Sequence, residues 1–418
     1  MSVFRTVAAE SGYKYIKKTE VLTVDFLIPL LSVIPLIICL EYKMINKTVP
    51  LYKVEYHARM VCILLLILLI RELYYEDILF FLYFSIIIMS SFLNGRDIMV
   101  AVNTYSGVVL ITVFLIVVAG SSSERAMQVF NTWKWLMFIL LLMDLASFVL
   151  YPDGMFREES GDWVMTGWFL GYKTFRLIIY MPLSFLFAYT SFLKKKRIDL
   201  LSFLVFALCI IGTIRCNAGS ATAALLFCLI CLILVNIANK ADSPMRRLEI
   251  NTLLNYKIWI PAFLVISYLT CFVQWRKLMD ALEEWFDRSY SLTARLVLWE
   301  RTVELIMKKP ILGYGVMTAN EIENYIGYRN THNLILTVLL SGGAIGLFLF
   351  IAYIYQSYQN TEQSYEVAIL SAFLFASFIV GISSAVYSFS AFALIPLYCM
   401  RFHKSETQSV KRGCIYIK

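Results

Sequence analysis

Apolar residues fall along this chain in blocks of about 17–23, the length that spans a hydrocarbon core as a helix, separated by short polar turns. The alternation over about ten residues that marks a membrane β-strand occurs nowhere. With about 20 residues per crossing as the ruler, the blocks predict spans near 24–41, 59–73, 77–93, 104–120, 132–150, 175–192, 198–214, 218–238, 257–274, 333–355, 366–383 and 385–400. The stretch before the first block is polar and carries Arg5, Lys14, Lys17 and Lys18, so that block reads as an anchor and not as a cleaved signal peptide. The expected fold class is all-α, a polytopic integral membrane protein of about 12 transmembrane helices, with residues 1–418 as a single integral membrane domain.

Composition agrees. Hydrophobic residues make up 60% of the 418 and charged residues 16%, and the mean hydropathy is +0.72; a soluble domain of this length would carry far more surface charge. The net charge of +8 needs no nucleic acid to explain it, because basic loops on the cytoplasmic side suffice. Most of the nine cysteines, among them Cys228 and Cys231, lie inside apolar blocks and read as small hydrophobes, not as a disulfide framework or a zinc site. No internal repeat of the kind common in transporters is visible.

Orientation follows from the short basic turns. Lys194, Lys195, Lys196 and Arg197 fill one turn, Arg246, Arg247 and Lys257 lie in another, and Arg401, Lys404, Lys411 and Arg412 follow the last span. All are expected on the cytoplasmic side, as are both termini. The loop with Lys43, Lys47, Lys53 and Arg59 opposes this pattern. The majority sends two larger polar segments outward, 151–174 and 275–332.

The chemistry-bearing residues concentrate between 288 and 350. Phosphate-loop, HExxH and GxSxG patterns are absent. Three histidines exclude a His-rich metal site, and His57 and His403 flank spans at opposite ends of the chain. Leu292, Leu296, Trp299, Val303 and Ile306 recur at helical spacing, predicting an amphipathic helix that Pro310 ends. On a helical wheel Arg295 falls about 60° from the centre of that face and Arg301 about opposite it. Next come Pro310, Gly313 and Gly315, a turn whose glycines permit backbone shapes closed to other residues. Thr331, His332 and Asn333 stand where the chain re-enters the membrane, and Gly342, Gly343 and Gly346 would let neighbouring helices approach closely. Asp144, inside an apolar block, is an intramembrane ionisable residue that pairing with a neighbouring helix would explain.

The ordered elements R-x3-W (Arg295, Trp299), P-x-x-G-x-G (Pro310, Gly313, Gly315), H-N-x-x-L (His332, Asn333, Leu336) and G-G-x-x-G (Gly342, Gly343, Gly346) resemble the O-antigen polymerase and ligase superfamily, the Wzy/WaaL-type membrane glycosyltransferases. The stretch 152–175, PDG…WFLGYKTF, looks like polymerases of Gram-positive capsule and exopolysaccharide pathways. The resemblance implies a donor glycan on a polyprenyl diphosphate at the outer leaflet and 275–332 as an extracytoplasmic catalytic loop; no cofactor is expected, and because no carboxylate or histidine cluster of ligand type lies in the outer loops, no metal is expected either. The resemblance makes His332 the base that activates an acceptor hydroxyl and Arg295 a diphosphate ligand. Asn333 joins the substrate-binding set, and Trp299, Gly313 and Gly315 are structural parts of the motif. A second arginine, which the family often carries after a serine near a span's outer end, is missing: Ala221 follows Ser220. Arg215, Arg176 and Lys173 are rival candidates for that role.

Three functions follow for comparison. They are polymerisation of lipid-linked repeat units, with a repeat-unit flippase and a chain-length regulator as partners, ligase-type transfer of a finished glycan, and non-enzymatic transport. The basic turns make a topological prediction. An impermeant thiol reagent on intact cells should label single cysteines placed at Glu321 and spare one at Lys195; the reverse labelling would invert the map.

Overall fold

A computed structural model describes residues 31–37, 52–70, 72–119, 123–160, 163–171, 175–240, 250, 254–272, 289–359, 361, 364–383, 394–403 and 415–416. Residues 31–37 are helical. The further elements are helix α1 (Tyr52–Ile67), strand β1 (Glu72–Leu73), α2 (Tyr75–Leu93), α3 (Ile98–Ala119), α4 (Ser123–Leu150), β2 (Phe156–Ser160), β3 (Trp163–Gly167), α5 (Leu177–Lys195), α6 (Leu200–Arg215), α7 (Gly219–Lys240), α8 (Tyr256–Cys271), α9 (Ser289–Lys308), α10 (Ala319–Ile326), α11 (Leu334–Tyr358), α12 (Tyr365–Ser383), α13 (Ile395–Cys399) and β4 (Ile415–Tyr416). Among the described residues, seven helices are long and apolar enough to cross a membrane: α2, α3, α4, α5, α7, α11 and α12. Three shorter apolar helices, in α1, α6 and α8, stand beside them. The all-α, polytopic reading is borne out. Lys173, residues 275–288 and the first half of the span expected at 385–400 lie outside the described residues.

Packing separates the helix faces as a lipid-facing bundle requires. α5 is buried along nearly its whole length, with Phe185 and Phe206 closing on Phe373 of α12 at ring-centroid distances of 5.2 and 5.8 Å. Leu64, Leu68, Val149, Ile211 and Ile230 face outward, apolar contacts that suit hydrocarbon. Two short pairs of antiparallel strands interrupt the helical pattern. β2 pairs with β3, and β1 with β4 near the end of the chain.

The helix ends sort into two sets. The turn between α2 and α3 touches residues 313–321, so it lies at the end that carries His332. Lys196 pairs with Glu366 at 2.8 Å, and the Tyr189 hydroxyl meets His403 Nε2 at 2.8 Å, at the other end. The basic turn 194–197 is therefore opposite His332, the arrangement that the sequence reading requires.

One expected span takes a different form. α11 covers the stretch expected at 333–355, but it is two helices joined at Gly343, where φ is 59° and ψ is −159°. This region is essentially restricted to glycine. Leu334 and Ile354 line one small cavity, although an unbroken helix would hold them about 30 Å apart. A break in an apolar helix frees backbone groups that lipid cannot satisfy. Here the turn Pro310–Gly315 satisfies them: Tyr314 and Gly315 donate to the Leu340 and Ser341 carbonyls at 2.7 and 3.0 Å, and Ala344 and Ile345 donate to the Pro310 and Ile311 carbonyls at 2.8 and 3.2 Å. Gly313 lies so close that a Cβ would sit 2.7 Å from the Leu340 oxygen. Gly342 and Gly346 face Ile87 and Tyr83 of α2, but an added Cβ would sit 3.4 and 3.9 Å from them, ordinary contacts, so the close helix approach expected of these two glycines does not depend on their lacking a side chain.

The break makes a paired prediction. Gly343→Ala should cost roughly 1–3 kcal/mol in backbone strain alone, and more because its Cβ would overlap the Ile311 carbonyl. Gly346→Ala meets only ordinary contacts at 3.8–3.9 Å and should be tolerated. Thermal unfolding in detergent should show a clear drop in Tm for the first and little change for the second; equal Tm values would refute the account.

Candidate functional site

The His332 site is assembled by α9, the turn after it, α10 and the start of α11. On α9, Leu296, Leu298, Trp299, Thr302, Leu305 and Ile306 are all buried, a wider face than the expected one. Its centre moves round the wheel by about 60° and falls on Arg295, which is half-buried. Arg301 is exposed, as expected, but its guanidinium reaches the Ile326 carbonyl at 3.3 Å.

Trp299 ties this helix to the site. Its indole N–H donates to the Thr331 carbonyl at 3.1 Å, fixing the residue before His332. Asn333 fixes the residue after. Its side-chain oxygen accepts from the Leu336 N–H at 3.1 Å, capping α11, and its amide donates to the Ile382 carbonyl at 3.1 Å. Asn333 is fully buried, so both ends of its carboxamide are engaged within the protein. Between these anchors His332 has φ 51°, a left-handed conformation uncommon outside glycine. Its N–H donates to Asn330 Oδ1 at 3.0 Å. Burial, and then the neighbouring Arg295 charge, lower the His332 pKa from its ordinary value to about 4. The imidazole is therefore neutral at pH 7 and has a lone pair available.

Arg176 and Arg215 belong to a different cluster, at the ends of α4, α5 and α6. Arg176 is fully buried. Its Nε donates to Asp144 Oδ2 at 2.8 Å, its Nη2 to the Gly171 carbonyl at 3.2 Å, and its guanidinium lies 5.0 Å from the Phe148 ring and 5.4 Å from Trp168. The Tyr180 hydroxyl and the Leu170 N–H also donate to Asp144, at 2.6 and 2.9 Å. Asp144 thus has the helix partner its position called for, and the pair anchors the segment after the β2–β3 hairpin. Arg215 is exposed at the end of α6, with Nη2 3.3 Å from the Pro152 carbonyl.

The sequence reading did not find the residues that hold the turn from outside, Ser91, Asn94 and Arg96 of the α2 end. They stand more than 200 positions from their partners, and no local pattern marks them.

The fold and the site define a polytopic α-helical membrane protein with a half-buried histidine beside an arginine. Residues 176–351 match the model of the family described as O-Antigen ligase. That stretch runs from Arg176 through Arg215 and Arg295 to just past the break in α11, and over it the resemblance to the O-antigen polymerase and ligase superfamily is borne out. Two curated chains named "Putative polysaccharide ligase" are similar over shorter stretches. The one from Rickettsia conorii is 31% identical over 121 residues, 25% of this chain and 29% of that one. The one from Rickettsia felis is 33% identical over 90 residues, 18% and 22% respectively. The matches thus span less than a third of either relative. No solved structure matches.

The environment of His332 predicts its titration. NMR of ring-labelled histidine in detergent-solubilised protein should show His332 neutral at pH 6 and titrating near 4. Arg295→Gln removes the lesser cause and should move the value partway toward the ordinary 6.5 or so. Because the folded pKa lies below the unfolded one, the unfolded chain binds the proton first. The stability contribution is therefore complete above about pH 6.5 and shrinks as pH falls toward 4. An unperturbed His332 titration would show that the site is wet.

Proposed function

We propose that the protein is a membrane glycosyltransferase, moving a glycan from a polyprenyl diphosphate donor to an acceptor hydroxyl on the extracytoplasmic side of a bacterial inner membrane. The observation that carries this reading is a half-buried, neutral His332 beside Arg295, inside the stretch that matches the O-antigen ligase model. His332 accepts the acceptor's proton as its hydroxyl oxygen bonds to the anomeric carbon. The carbon–oxygen bond to the diphosphate breaks, and the diphosphate leaves with the electron pair. Arg295 holds the departing phosphate oxygens through its planar fork, where exclusion of water strengthens the interaction. For the second cation the reading takes Arg215, exposed at a helix end, over Arg176, whose charge Asp144 already neutralises. Metal ions have no assigned part in this sequence of steps.

Two acceptors fit this chemistry. The O-Antigen ligase description and the names of the relatives favour transfer of a finished glycan to a lipid or protein. The resemblance of 152–175 to capsule polymerases favours addition to a growing chain, with a flippase and a chain-length regulator as neighbours. Purified protein supplied with lipid-linked repeat units alone separates the two, because only a polymerase then makes long chains.

His332→Ala should reduce transfer by about 10²–10⁴-fold at matched membrane levels. Arg295→Lys keeps the charge, loses the bidentate geometry and should impair donor binding and rate together. Lys308→Ala, exposed at the end of α9, is the control and should stay near wild type. Normal product from His332→Ala would end this assignment.

A further inference from the structure

The turn and α10, whose Tyr314 and Ile326 share one buried cluster with Trp299 and Leu336 on either side of His332 in the chain, are joined from outside by one side chain. Arg96 sits in the short connection between α2 and α3, with its side chain only 10% exposed. Its Nε donates to the Tyr314 carbonyl at 2.7 Å, and its Nη1 pairs with the Glu321 carboxylate. Tyr314 belongs to the turn that plugs the break in α11. Glu321 belongs to the first turn of α10, where it closes a capping box with Thr318. One guanidinium therefore fixes the turn and the helix relative to each other, and fixes both to α2.

The neighbours of Arg96 act in the same direction. Asn94 donates to the Gly313 carbonyl at 3.2 Å and accepts from the Lys309 ammonium. Ser91 Oγ accepts from the Val316 N–H at 2.9 Å. Burial pushes the Glu321 carboxyl up, but hydrogen bonds from Thr318 and Arg96 hold it below its ordinary value, so the pair stays ionised at neutral pH. From α10 the chain turns at Gly327, with φ 79°, and reaches Asn330, which accepts the His332 N–H.

We infer that Arg96 is a positioning residue for the His332 site: by clamping Tyr314 to Glu321 it holds the turn and α10 in place and keeps water away from the imidazole. It does not touch His332. A planar fork suits the task, because two acceptors in different directions must be held by one cation. Lysine offers a single point charge and can hold only one of them well.

The inference rests on the glycosyl-transfer reading, and its test separates the two. Full-length Arg96→Gln and Arg96→Lys are compared with wild type and His332→Ala for transfer kinetics, for the pH dependence of kcat/KM and for His332 titration by NMR. Arg96→Gln should lower kcat by about 10–100-fold, the scale of a misplacement of about 1 Å, with donor KM changing less than about threefold. The acid limb of kcat/KM should move upward from about 4 as water enters. Arg96→Lys should fall between. Merely weakened folding would lower the amount of active protein without moving the acid limb. Wild-type kcat and an unmoved limb in Arg96→Gln, with His332→Ala inactive, would overturn the positioning role and leave glycosyl transfer standing. If His332→Ala is active, the functional reading fails, and the His332 titration in Arg96→Gln still decides whether Arg96 keeps the site dry. Should Arg96→Gln not reach the membrane, Arg96→Lys decides by the same two readouts.

Discussion

A helix broken inside an apolar layer must find partners for the backbone groups it frees, and at Gly343 this constraint organises everything around His332. Each unsatisfied group in hydrocarbon costs several kcal/mol, so the break can exist only with a second segment docked into it. Residues 310–315 are that segment, supplying two N–H donors and two carbonyl acceptors to residues 340–345. Docking in turn fixes the end of α9, two residues before Pro310, and through Trp299 it fixes Thr331. The glycines of the two motifs are therefore halves of one joint. Gly343 supplies the backbone conformation, and Gly313 supplies the close approach.

The two arginine-bearing clusters differ in how their charge is balanced. Arg176 faces a buried carboxylate that also accepts from Tyr180 and Leu170. Removing one partner of such a buried pair is strongly destabilising, by about 3–5 kcal/mol, and binding an external anion would compete with that pairing. Next to His332, by contrast, the neighbouring charge is a cation, and it acts with burial to disfavour the imidazolium. One cluster is built to stay closed, holding the segment after the hairpin. The other keeps a neutral nitrogen base beside a positive charge, the combination that proton acceptance next to a departing anion calls for.

Much of this was legible in the sequence, and what was not has physical causes. Blocks of apolar residues located the long helices because length and hydropathy are local properties. Their edges moved where polar residues still sit on a helix: α1 is Tyr52–Ile67, against an expectation of 59–73. The short β2–β3 hairpin escaped, since its five-residue strands carry no strong alternation. The α9 face was placed correctly at Leu296, Trp299 and Ile306 but drawn too narrow. Leu298, Thr302 and Leu305 are buried as well, and only with them does Arg295 lie at the centre. Gly342 and Gly343 read as small residues for helix contact because a glycine pair does not announce a break. The break is a property of the pair and of the turn that fills it, more than 25 positions earlier.

The span expected at 77–93 is α2, Tyr75–Leu93, but what holds it in place was not legible, and it shows why local reading stops short of the site. Its outer residues Ser91 and Asn94, with Arg96 just beyond, grip the turn. Its other end is gripped as firmly: Arg401 pairs with Asp77 and lies 3.7 Å from Glu76, while its guanidinium rests 4.9 and 4.7 Å from the Tyr74 and Tyr398 rings. Along its length Phe80 and Tyr83 pack against Tyr353 and Phe350 of α11. The helix is thus a strut between the chain's last described helices and the joint at Gly343. The Arg401–Asp77 pair, almost wholly buried, fixes its height and rotation at that end, because an ion pair in a nearly dry setting tolerates little displacement. The position of the turn is accordingly set by residues from three distant parts of the chain. The motif residues supply the chemistry, and α2 supplies the frame against which they are held.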